Sequence, residues 1–174
     1  LFNTFQAILN PGDEVIVISP YWLTYPELVK MADGVPVFVE ASEDNNFKVT
    51  PEQIEAVITE KTKALILNSP SNPCGCVYGA DALQKIGELA VKHNFFIVSD
   101  EIYDELNYGE PITSVANVSE EVRNRTIIVN GMSKAYAMTG WRIGYTLSTP
   151  EIAKIMGSFQ SHATSNPCSI AQYA

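Results

Sequence analysis

The sequence predicts an α/β fold in three layers, with helices on both faces of a mostly parallel sheet that carries one antiparallel strand. Three observations point there. Short, continuous, β-branched runs recur: EVIVIS at 14–19, VPVFVE at 35–40, ALILNS at 64–69, FFIVSD at 95–100 and TIIVN at 126–130. Such runs suit strands covered on both faces, as parallel strands are. Stretches with helical spacing of apolar residues lie between most of them. The junction from 130 to 142 is short for a helical crossover, so RIGYTL at 142–147 is expected to run antiparallel to TIIVN.

The elements follow in order. Leu1, Phe2, Phe5, Ile8 and Leu9 share one helical face, and NPGD at 10–13 turns the chain into the first strand. A helix over 23–32 ends at Asp33-Gly34. Thr50-Pro51-Glu52-Gln53 opens another with a cap residue and a first-turn proline, running to about Thr59. Residues 80–93 turn Leu83, Ile86, Leu89 and Ala90 inward. Thr149-Pro150-Glu151 starts a long helix that passes Phe159. No repeat, low-complexity tract or internal linker interrupts the pattern.

Composition narrows the function classes. The 174 residues suit one domain, here 1–174, with a substantial core. A net charge of −9 argues against a nucleic-acid partner, which needs a basic face. No apolar run reaches membrane-span length, and no signal-peptide pattern opens the chain, so a cytoplasmic location is expected. Three cysteines, an odd count, fit a reducing compartment. Cys74 and Cys76 flank Gly75 without a matching second pair, which argues against metal. The chain opens without methionine inside a helical pattern and closes in another, so a piece of a longer protein is expected.

In open α/β sheets, sites form beyond the carboxyl ends of the strands. Those ends carry SPYW at 19–22, NSPSNPCG at 68–75, SDEIY at 99–103 and NGMSK at 130–134. Lys134 sits among Gly, Ser and Ala, with Arg142 eight positions on. A desolvated, cation-flanked lysine can lose its proton and form a Schiff base with a carbonyl. Arg142 is a phosphate fork. Asp100, ending an apolar strand, is a buried carboxylate that needs a cationic partner. Asn72 and Tyr103 can bond a phenolic oxygen, and Trp22 or Tyr21 can stack on a flat ring. Pyridoxal 5'-phosphate presents an aldehyde, a phosphate, a pyridine nitrogen and a ring hydroxyl, and so fits every group.

Each residue alone has a plainer reading. A lone lysine is usually solvated, and Asp100 and Glu101 can cap a turn. Asn72 suits ordinary turn chemistry, and Trp22 and Tyr25 suit a core. Glu101 and Asp104 read as loop charges. His93 suits a helix dipole, and His162 has no evident partner; neither is assigned a catalytic role.

Taken jointly, the motifs are recognisable. GMSKAYAMTGWRIG resembles the pyridoxal-phosphate attachment motif of the fold-type I, class I/II aminotransferases. NPCG resembles that family's NPTG turn, and SDEIY its aspartate–tyrosine element. PYWLTYPE is similar to the branch with bacterial aspartate and aspartate/prephenate aminotransferases. The resemblance spans the whole chain. It implies the cofactor-binding large domain of a homodimeric enzyme, truncated at both ends, that moves an amino group between aspartate and 2-oxoglutarate. The resemblance gives Lys134, Asp100 and Tyr103 catalytic roles. It makes Trp22, Asn72, Asp100, Tyr103, Ser133, Lys134 and Arg142 the cofactor contacts. It also implies that the phosphate loop, N-terminal arm and C-terminal small domain lie outside this chain. The sheet is then expected to hold six of seven strands, with RIGYTL at an edge, and the isolated piece to be inactive. Two positions depart from the pattern. Gly131 stands where many relatives have a phosphate-binding serine, with Ser133 a substitute, and Cys74 stands for threonine in NPCG. Two other readings remain: an aminotransferase-like ligand-binding domain of a transcription regulator, or a lyase or synthase on the same scaffold.

Overall fold

The computed structural model describes residues 1–109 and 112–174. Six strands form one sheet: β1 (Glu14–Ser19), β2 (Val35–Glu40), β3 (Thr62–Asn68), β4 (Phe96–Asp100), β5 (Thr126–Gly131) and β6 (Gly144–Leu147), in the order β2-β1-β3-β4-β5-β6. The first five pair in parallel. Only β6 is antiparallel, with Gly131 opposite Gly144. It forms the edge that the short 130–142 junction predicts.

Alternation along the strands explains the two covered faces. Ile16, Leu65, Leu67 and Ile97 point into one core, where they meet α3 (Pro51–Glu55), α4 (Ala80–His93) and α5 (Glu120–Arg123) through Ile54, Leu83, Ile86 and Val122. Val15, Val17, Ile66 and Val98 point the other way. They meet α1 (Phe2–Ile8), α2 (Thr24–Lys30) and α7 (Pro150–Ala163) through Phe5, Tyr25, Val29, Ile152 and Met156. A short turn α6 (Met132–Ala135) follows β5, and α8 (Ser169–Tyr173) lies near the C-terminus. Among the described residues no helix is long and apolar enough to cross a membrane.

Several boundaries shift by one or two residues from the sequence expectation, and two of the differences have a clear form. The helix opened by Thr50 ends at Glu55 instead of Thr59, although its reciprocal Thr50–Gln53 capping box is present. The last strand begins at Gly144, not at Arg142. Arg142 adopts φ +56°, a left-handed turn that cannot continue an extended strand.

Chain order reverses at β1. The path steps from β1 outward to β2, then returns to β3 on the other side and proceeds to β4 and β5. The carboxyl ends of β1, β3, β4 and β5 flank that switch, where such sheets bind ligands.

Candidate active site

β4 delivers Asp100 at its last position, only 4% exposed. Its Oδ2 accepts a 2.8 Å hydrogen bond from the Tyr25 hydroxyl, and its Oδ1 accepts the Ile102 N–H at 3.3 Å. Burial pushes the Asp100 carboxyl above its usual range, while the Tyr25 bond pulls it back. Burial, and then the Asp100 charge, push the Tyr25 hydroxyl far upward, so it stays a donor.

β3 ends in Asn68, which ties the neighbouring loops together. Its Nδ2 donates to the Asp100 carbonyl at 2.9 Å, and its Oδ1 accepts the Asn72 N–H at 2.7 Å. The Asn72 side chain then reaches the Tyr103 hydroxyl at 3.3 Å. Lys134 projects from α6, with Nζ 5.7 Å from the Tyr103 ring centre. Arg142 anchors one guanidinium nitrogen on the Thr139 carbonyl at 2.9 Å. Trp22 meets Tyr25 edge to face, ring centres 5.4 Å apart.

These side chains share one cavity of about 360 Å³. Trp22, Asn72, Asp100, Tyr103, Ser133, Lys134 and Arg142 all line it, with Tyr25, Ile102, Val129 and Thr139. All seven residues picked from the sequence are therefore brought together. Tyr21 is not among them: it stacks on Phe38 at 5.3 Å, which leaves the rim to Trp22.

Sequence similarity decides the family. The profile of the aminotransferase class I and II family matches residues 1–174. The chain belongs to that family. An aspartate aminotransferase of Geobacillus stearothermophilus is 54% identical over the whole chain, and an aspartate/prephenate aminotransferase of Thermus thermophilus is 51% identical. Each match covers 44% of the relative's own length, so the chain spans less than half of those proteins. A solved Thermus thermophilus aspartate aminotransferase with maleate superposes with a TM-score of 0.95 at 50% identity, over 99% of this chain and 44% of that one.

Among the aminotransferase family's motifs in this chain, several residues differ from their first reading. Glu101 is not a loop charge. It accepts hydrogen bonds from Ser99 and Ser114 at 2.8 and 2.6 Å, and burial raises its carboxyl. Asp104 accepts from Asn130 at 2.8 Å and so ties its loop to β5. His93 closes α4 within 3.2 Å of Glu55. Gly131 also gains a reason. A Cβ there would stand 2.7 Å from the Ile143 carbonyl, so the close β5–β6 approach leaves no room for a side chain without a shift. Tyr25 and Asn68 were missed as site residues. Tyr25 shares the buried face of α2 with Val29, and a buried phenol needs a partner, which was the available signal.

Among the described residues Asp100 has no ion pair, and neither do Lys134 and Arg142; the pairs present are Lys30–Glu27, Lys92–Glu55 and His93–Glu55. The cavity thus holds a buried carboxylate with no close ion pair among the described residues, together with Lys134, Arg142 and a phenol–amide pair; the Leu1 amine also lines it and lowers the Asp100 carboxyl at longer range. That donor set fits pyridoxal phosphate: a protonated ring nitrogen at Asp100, a phosphate at Arg142 and an aldehyde at Lys134.

Proposed function

We propose that this chain is the cofactor-binding large domain of a pyridoxal 5'-phosphate-dependent aminotransferase. The full-length enzyme moves an amino group between an amino acid and a 2-oxo acid. Aspartate and 2-oxoglutarate are the leading pair, in keeping with the aspartate and aspartate/prephenate aminotransferases that the chain resembles. The observation that carries the reading is Asp100, buried and without a close ion pair among the described residues, in the cavity that Lys134 and Arg142 also line.

When bound, pyridoxal phosphate supplies an aldehyde and an electron-accepting ring. The residues divide the remaining work. Asp100 holds a proton on the ring nitrogen, and Tyr25 and the Ile102 N–H fix its carboxylate in place. Asn72 and Tyr103 would bond the ring oxygen. Arg142 would hold the phosphate, with Ser133 contributing. Trp22 would stack on the ring. Lys134 is the residue whose amine would hold the aldehyde and would move the proton at the substrate α-carbon.

The partner set follows from the same reading: amino-acid and 2-oxo-acid substrates, no nucleic acid, no membrane, and a homodimer in a cytoplasmic full-length protein. Exposed Tyr136, Trp141, Tyr145 and Leu147 supply apolar surface beside the site for a second subunit to cover. The phosphate loop, N-terminal arm and small domain would be supplied by sequence outside these 174 residues.

The test is direct trapping. The chain is incubated with pyridoxal phosphate, reduced with borohydride and digested, and the labelled peptide is identified by mass. Label on Lys134, lost in Lys134→Ala, is the expected result. Equal labelling of the variant, or label spread over surface lysines alone, would refute the assignment.

A further inference from the structure

The turn that carries Asn72 also carries two thiols. Cys74 and Cys76 flank Gly75, whose φ of +67° closes the turn. The Gly75 N–H bonds the Ser71 carbonyl at 2.8 Å, and the Ser71 N–H bonds the Cys76 carbonyl at 3.0 Å. Both thiols face a groove of about 390 Å³, together with Phe47 and Lys48. The groove shares no lining residue with the site cavity. Cys76 pins the turn to the neighbouring loop: its Sγ donates to the Phe47 carbonyl at 3.3 Å. That leaves the Ser71 hydroxyl, 3.1 Å away, as donor to the sulfur. Among the described residues the Cys74 thiol has no hydrogen-bond partner, so it is free to react.

We propose that Cys74 and Cys76 are a modification site, forming a reversible intrachain disulfide by exchange with a small-molecule disulfide, and that this bond loosens the turn holding Asn72. Residues separated by one other lie at most about 7 Å apart at Cα, and a disulfide spans roughly 4.4–6.8 Å, so the turn needs only local adjustment. The Cys74 thiolate attacks one sulfur of the oxidant, whose S–S bond breaks and releases the first thiolate. The Cys76 thiolate then attacks the Cys74 sulfur and expels the second. The oxidant leaves as two thiols, carrying the two protons and two electrons that the cysteines lose.

Burial, and then the neighbouring Cys76, push the Cys74 thiol upward, which slows its exchange near neutral pH; exchange quickens as rising pH ionises it. To join Cys74, the Cys76 sulfur has to leave Phe47 and Ser71. The bonds from Asn72 to Asn68 and Tyr103 then rest on a turn that has lost its outer anchor. The link to the active site rests on the function proposed above; the thiol chemistry does not.

The experiment treats the reduced chain with oxidised glutathione at about pH 8, where more of a raised thiol is ionised. It counts free thiols, maps disulfides by peptide mass and follows amide hydrogen exchange over 68–78. Cys74 and Cys76 are expected to lose their free thiols to each other, whether exposed Cys168 stays free or carries a glutathione adduct. The peptide holding Cys74 and Cys76 loses two hydrogens, and exchange at Asn72 quickens. Cys74→Ser and Cys76→Ser each lose the internal bond and the faster exchange. Three surviving thiols, a glutathione adduct that persists on Cys74, or bonds through Cys168 alone would overturn the proposal. An internal disulfide with unchanged exchange at Asn72 would overturn its coupling to the site. No readout uses the cofactor, so failure here is distinguishable from failure of the aminotransferase reading.

Discussion

Tyr25→Phe isolates the contribution of one buried hydroxyl. The substitution keeps the ring and its packing against Trp22, and removes the only side-chain donor to Asp100 Oδ2 among the described residues. A hydrogen bond to a charged group contributes about 1.5–3 kcal/mol, and one to a neutral group about 1 kcal/mol. Burial raises the Asp100 carboxyl above its unfolded value. Between those two values the folded chain keeps a proton that the unfolded chain has lost, so stability falls as pH rises through that window. Above the window, the ionised carboxylate destabilises the fold throughout. Without Tyr25 the window extends upward, and the loss in stability at neutral pH grows. Tyr25 itself does not titrate there, because burial pushes its hydroxyl far upward.

The assay is urea unfolding of both chains at about pH 4 and about pH 8, on either side of the rise expected of a buried carboxylate. A urea slope of about 2 kcal/mol per M turns a loss of about 2 kcal/mol into a midpoint shift of about 1 M. The expected shift is that large at the higher pH and about half as large at the lower. Equal shifts at both would refute the reasoning, because Tyr25 would then stabilise the two protonation states alike.

Three further outcomes are expected. Gly131→Ser drives a side chain toward the Ile143 carbonyl, 2.7 Å from the ideal Cβ, and is expected to lower stability by about 1–3 kcal/mol in thermal unfolding. Thr50→Ala removes the side-chain acceptor of the Gln53 N–H and the reciprocal box; its expected loss is about 1 kcal/mol by urea titration. Leu65→Ala empties a fully buried central-strand position and is expected to lose about 2–5 kcal/mol in the same titration.

The strands β1, β3, β4 and β5 were legible because they are covered on much of both faces, which writes them as continuous apolar runs; β2, at the edge, was legible from its β-branched run although it exposes Val35 and Phe38. Helix lengths were less so. Residues 56–59 keep apolar Val57 and Ile58, yet the chain turns there to start β3 at Thr62, and the local pattern does not encode that return. Arg142 is similar. Its RIGYTL context reads as strand, while the left-handed turn that aims it at the cavity depends on the Thr139 carbonyl it binds. Backbone conformation set within a tight turn, as by the Arg142 bond to Thr139, leaves little trace in composition.

The site divides along the same line. Residues at the carboxyl ends of β1, β3, β4 and β5 were found because topology alone gathers them. Tyr25 was not, since it reaches Asp100 across 75 residues from the side of a helix whose buried face also carries Val29. Yet two requirements, each visible in the sequence, match. A phenol on the inner face of a helix needs an acceptor, and a carboxylate ending a buried strand needs a donor. Each is costly alone and stable with the other. The fold that brings Tyr25 of α2 to the end of β4 therefore satisfies both, and the carboxylate's other oxygen takes only the Ile102 N–H. Under the function proposed here, that buried carboxylate, more than the lysine, is the group that a cationic ring would answer.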